Sequence, residues 1–241
     1  MKLQKKISTL VLLLLCTYTV LAQTPGLIYK PAGNALGKSI LDPNGDGFTS
    51  LTTAGFSGTD YGSNSELRMI PLPVLGGEPV GDLTSGGAGG FTDIASFASN
   101  QQSCYILKKN VGGTDYLIIR FRQGGNATSS KGFSFLMDIN NTFGTWSGNN
   151  PGFEREVVLQ TGSNGIVAVY EHTQSTTTLT QSFPIDNYCQ RSIALSTNNS
   201  DKDYFLDFFI PFSALNVTTE PVRIAACYID KCRQWYYRYG I

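Results

Sequence analysis

From about residue 104 onward the chain sets short apolar or alternating runs between Gly- and Asn-rich breaks, a rhythm of strands and turns with hardly any helix. Tyr105 to Lys108 and Tyr116 to Arg122 flank Asn110-Val111-Gly112-Gly113, which reads as a hairpin. In the second run Leu117, Ile119 and Phe121 alternate with Ile118, Arg120 and Arg122, so this strand predicts one core face and one wetter face. Gly132 to Asp138 is more continuously apolar. Phe153 to Gln160 and Ile166 to Tyr170 surround Ser163-Asn164-Gly165 as a second hairpin. Arg191 to Ser196, Tyr204 to Pro211 and Val222 to Ile229 bring the count to about eight or nine strands, the number usual for a sandwich. Only Phe212 to Leu215 reads as a helical turn.

Thr24 to Asn100 is different, being rich in Gly, Ser, Thr and Pro, with apolar runs only at Gly26 to Lys30, Gly37 to Leu41 and Leu67 to Leu75. It predicts coil laid over a core, with an edge strand or two. The expectation is all-β: one antiparallel β-sandwich, its core strands over 103–229 and long N-terminal coil segments over 24–100, with very little helix. No repeat, heptad or βα alternation divides the chain, so residues 23–241 form one module. Residues 1–22 stand apart. Lys2, Lys5 and Lys6 precede the apolar Leu10 to Leu15, and Val20-Leu21-Ala22 suits a signal peptidase before Gln23. This is the pattern of a cleaved signal peptide, so the mature chain is expected to be secreted or at the cell surface. The apolar run is shorter than the roughly 20 residues of a spanning helix, and no membrane span is expected elsewhere.

Composition narrows the functions. Lys plus Arg and Asp plus Glu each count 18 in 241 residues, which leaves no basic stripe for a nucleic-acid backbone. The single histidine, His172, rules out a two-histidine metal site and leaves one candidate base for Ser-His or Cys-His chemistry. It follows Glu171 and precedes Thr173-Gln174-Ser175, and reads as a surface histidine. Four cysteines follow the signal: Cys104, Cys189, Cys227 and Cys232. An exported chain with an even count usually forms disulfides, but three connectivities are open, and buried free thiols are an equal alternative.

The strongest local pattern is Asp42-Pro43-Asn44-Gly45-Asp46-Gly47-Phe48. Side-chain oxygens at positions one, three and five, glycine at six and a backbone carbonyl at seven match the start of an EF-hand loop, where hard oxygen ligands wrap calcium. Position twelve is Thr53 where an EF-hand has glutamate, and no amphipathic helices flank the loop, so a closing carboxylate must come from elsewhere. Glu66 is the first candidate and Asp93 the second. The alternative is a double tight turn whose side chains only bond nearby backbone N–H groups.

Taken in order, LDPNGDGFTS (Leu41 to Ser50), SEL and PLP (Ser65 to Leu67, Pro71 to Pro73), GEPVGDL (Gly77 to Leu83), GFTDI (Gly90 to Ile94), FRQGG (Phe121 to Gly125), NPGFEREVVL (Asn150 to Leu159) and DYFLDFFIPFSAL (Asp203 to Leu215) resemble an N-terminal module of large exported surface proteins of Bacteroidota, adhesin-like and of type IX secretion cargo. The acidic strand and IPFSAL turn are also loosely similar to carbohydrate-binding family 9 and DOMON-type domains. The resemblance implies an immunoglobulin-like or jelly-roll-like sandwich with no established enzymatic role, acting in adhesion or as a structural spacer. The second implied reading is a carbohydrate-binding module whose partners are polysaccharide or other cell-surface components.

Chemical constellations are weaker. Glu154 and Glu156, two apart on a predicted strand, would share one face, as neighbours on an open sheet rather than an acid pair flanking a cleft. Met137 and His172 are the only pair resembling haem ligands, and Met137 sits in a core-like run. Sugar recognition calls for an exposed aromatic face beside amides or carboxylates, which points to Trp146, Asn149 and Glu154. The chain is expected not to be an enzyme.

Overall fold

The computed structural model describes residues 23–72, 94, 102–124, 132–161, 164–195, 203–218, 221 and 223–228. The signal-like segment, Asp93 and Cys232 lie outside them. Within them run β1 (Ile28–Lys30), α1 (Ala35–Leu41), β2 (Ile70–Pro71), β3 (Cys104–Val111), β4 (Thr114–Gln123), β5 (Phe133–Asp138), β6 (Arg155–Gln160), β7 (Ile166–His172), β8 (Thr177–Pro184), α2 (Ile185–Tyr188), β9 (Cys189–Ile193), β10 (Tyr204–Pro211) and β11 (Arg223–Tyr228). Two antiparallel sheets result, one ordered β1-β9-β10-β4-β3-β2 and the other β11-β5-β6-β7-β8, so the all-β sandwich expected from the pattern is the fold. Both hairpins form. In the first, Val111 pairs Thr114 around Gly112 and Gly113, whose φ values of +60° and +85° supply the left-handed turn that twists with the strands. In the second, Gln160 pairs Ile166.

Period-two alternation fills the space between the sheets. Leu117, Ile119 and Phe121 of β4 and Leu206, Phe208 and Ile210 of β10 meet Phe133, Phe135 and Met137 of β5 and Val157 and Leu159 of β6. Met137 is therefore core. The four residues Phe212–Leu215 make a single 3-10 turn after β10, where the sequence places a helical turn.

The other face of β4 is not wet. Ile118, Arg120 and Arg122 are each at most 1% exposed, because the N-terminal arm lies across the six-stranded sheet as a third layer. Ala32, Ile40, Leu41, Leu67 and Met69 of the arm pack on Tyr105, Tyr116, Ile118 and Phe209. The two arginines tolerate burial because acids meet them. Arg120 forks onto Asp207, and Arg122 pairs with Asp60 of the arm and with Asp203.

Part of that arm is helical, which the coil reading of 24–100 did not include. Asn34 caps α1 by accepting from the Gly37 N–H at 2.6 Å, and Ile40 and Leu41 turn into the arm–sheet layer. Its seven residues have little stability of their own, so docking holds them. Asn34→Ala should lower stability by about 1 kcal/mol in urea denaturation; a change indistinguishable from zero would show that the docking contacts alone define the helix start.

Among the described residues no disulfide forms. Cys104 and Cys189 are buried free thiols whose ionisation burial pushes upward, and Cys227 is buried on β11. They lie in and beside packed strands, where the small apolar character of the thiol suffices.

Candidate metal centre

Among the described residues the arm builds an acidic cluster by pairing its own loops. After α1 the chain turns through Asp42–Phe48, and Phe48 bridges Leu27 just before β1. The next residues run beside the Ser65 segment: Ser50 bridges Ser65, and the Glu66 N–H donates to the Thr49 carbonyl at 3.0 Å. Glu66, distant in sequence, is thus delivered to the loop. One oxygen from each of Asp42, Asp46 and Glu66 lies within 4.8 Å of the others.

The loop is already ordered by its own side chains. Asp42 accepts from Gly45 N–H and Gly47 N–H at 3.1 Å each, Asn44 accepts from Asp46 N–H at 2.8 Å, and Asp46 accepts from Phe48 N–H at 2.8 Å. Gly45 and Gly47 sit at φ +74° and +82°, a backbone that favours glycine. These are the bonds of the tight-turn alternative. They are equally what aims oxygens inward, since each carboxylate oxygen keeps a second lone pair.

Glu66 does not fit the turn reading. Both its carboxylate oxygens are shielded from solvent and lack a hydrogen-bond partner in good geometry. Its carboxyl is pushed up to about 7, first by burial and then by Asp42 and Asp46, with Lys109 and the nearby Asn44 N–H opposing. Burial, offset in part by the Gly47 N–H, also raises Asp42, and Asp46 adds to that rise. Three acids sharing one place with so little compensation is costly without a cation. An all-oxygen donor set of this kind suits calcium rather than a thiolate- or imidazole-seeking metal.

A second loop solves the same problem differently. Asp138 accepts from Asn140 N–H and Thr142 N–H at 3.3 and 3.2 Å, and Arg223 donates to it at 2.6 Å. Here a guanidinium supplies the positive charge. Glu154 belongs to this loop: it is 6% exposed and accepts from Ile139 N–H at 2.9 Å and from the Thr142 hydroxyl. It precedes β6 and does not share an open face with Glu156. Trp146 is half-buried and Asn149 exposed in the same connection, so the structure does not gather Trp146, Asn149 and Glu154 on one open surface.

His172 is buried, not superficial. Its Nε2 lies 2.8 Å from Glu156 and its Nδ1 2.9 Å from the Thr177 hydroxyl, while Ser134 donates to the other Glu156 oxygen. The alternation of β7 puts His172 on the same outward-facing row as Tyr170, and cross-strand neighbours then satisfy both ring nitrogens. The sequence reading also passed over Asp60, Asp203 and the arginines they neutralise. Two arginines at alternate positions of a strongly apolar strand were the available signal.

Comparison with family models, with curated proteins and with solved structures finds no match. Among the described residues no helix is long and apolar enough to cross a membrane.

Proposed function

We propose that the chain is a non-catalytic module of an exported protein, with an adhesive or structural role, whose N-terminal arm is held in shape by calcium. Asp42, Asn44, Asp46 and the Phe48 carbonyl hold the ion and Glu66 closes the site. The observation that carries this reading is the convergence of Asp42, Asp46 and Glu66 within 4.8 Å, with both Glu66 oxygens shielded from solvent and without a well-formed hydrogen bond. Bound there, calcium would neutralise the cluster and tie the loop after α1 to the segment before β2. The ion's task is structural, because the arm offers limited apolar surface against an ordering cost of about 1–2 kcal/mol per residue. Export rests on the signal-like N-terminus. Partners in such a role are polysaccharide or other cell-surface components, and the partly exposed Trp146 is the place where a sugar ring would stack.

Titration calorimetry with calcium tests the site. The chain should take up one calcium ion and bind magnesium more weakly, and Asp46→Ala should abolish the heat while leaving the β-rich circular dichroism spectrum in place. A flat titration of the wild-type chain would restore the tight-turn reading.

A further inference from the structure

The sheet edges are protected unequally. β1 has three residues and β2 two, and β11 is buried from Ile224 through Cys227. Short or covered edges give another chain little to pair with. β8 has neither defence. Its eight residues close one side of the five-stranded sheet, and all but Phe183 are exposed. From Thr173 through Ile185 no side chain carries a charge, and Leu179 is 49% exposed. Among the described residues no strand pairs with β8 on the side turned away from β7.

We propose that β8 is the seam of a homodimer, in which two copies pair antiparallel, β8 to β8, and join two five-stranded sheets into one. A two-fold axis needs a patch complementary to itself. A strand with no charge meets that condition, since no like charges are opposed across the seam. Thr178 and Ser182 add hydroxyls of the kind that favour cross-strand contact. An acidic or basic peptide would find no counter-charge on this edge. The irregularity opposite Val169 and Tyr170, where Thr180 falls outside the register and its hydroxyl donates to the Val169 carbonyl, interrupts the flat run and keeps the seam short. A single pair of strands buries less than the roughly 1,000 Å² expected of a stable interface, so the dimer forms only as concentration rises.

Sedimentation velocity over a concentration series tests this on the purified chain, beside Leu179→Lys and Ser182→Lys, both at exposed positions where folding is checked by thermal melts. The wild type should move from one-chain to two-chain mass, and both variants should keep one-chain mass at every concentration while melting with the wild type. Hydrogen exchange on the wild type gives an independent readout: amides of Thr177–Phe183 should become protected as concentration rises, whatever the variants do. One-chain mass at all concentrations, variants that dimerise like the wild type, or a dimer without protection at β8 would each overturn the proposal. In the first case the edge is left for a foreign strand.

Discussion

Arg120→Met should destabilise the chain by about 3–5 kcal/mol, because it strands the Asp207 carboxylate inside the arm–sheet layer without its partner. The two residues are directly opposed across β4 and β10, and the fork has contacts of 2.6 and 2.8 Å with both side chains 1% exposed. The guanidinium also lies 4.3 Å from the ring of Phe205. Its remaining nitrogen, Nη1, is buried without an acceptor, so the pair is not ideally satisfied even when intact. The double variant Arg120→Met with Asp207→Leu should therefore recover most of the loss, since an apolar pair avoids the desolvation of both ions. Urea denaturation of the three chains measures this. A single variant within about 1 kcal/mol of wild type would mean that the charge finds water in the layer.

Chelation should lower the melting temperature by roughly 5–10 °C relative to calcium at a hundred times its dissociation constant, where binding to the folded state alone contributes about 2.7 kcal/mol. The pH dependence sharpens the test. Without calcium, Glu66 in the folded chain titrates near 7 against 4.5 for the free side chain, so between those values the folded state holds a proton that the unfolded state has lost. Stability then falls as pH rises from about 4.5 to about 7, and levels off above that. Calcium favours the ionised carboxylate and should erase this fall. Glu66→Gln should erase it as well, but by removing the titrating group, and it should blunt the calcium response. Equal melting temperatures with calcium and with chelator at neutral pH would refute the metal reading.

The inter-sheet core was legible because alternation in β4 and turn chemistry at Gly112-Gly113 are local. Asp42, Asn44 and Asp46 were legible for the same reason: the spacing lies within seven residues, and the structure places Asp42 and Asp46 in one cluster with Glu66. What escaped is what depends on a third layer. Ile118, Arg120 and Arg122 give the same pattern whether their face meets solvent or an arm carrying Asp60, and nothing near β4 says that residues 60 positions earlier will cover it. α1 escaped since seven residues, one of them Gly37, carry too few turns for a periodic signal, although the Asn34 cap was there to be read. His172 was misplaced because its partners, Glu156 and Thr177, become neighbours only through strand register.

The arm's position has a consequence for the order in which the chain can acquire structure. Its contacts are with late residues: Gln190 reaches the Leu41 carbonyl across 149 positions, and Arg122 reaches Asp60 across 62. During synthesis Ile40, Leu41 and Met69 emerge first, yet the strands that shelter them, β4 and β10, arrive much later. Such non-local closure is slow and leaves apolar surface uncovered in the meantime. The segment made first is the one that must wait longest, and the Asp42–Phe48 loop, whose side chains bond its own backbone, would give that waiting segment a local shape before the sheet beneath it exists.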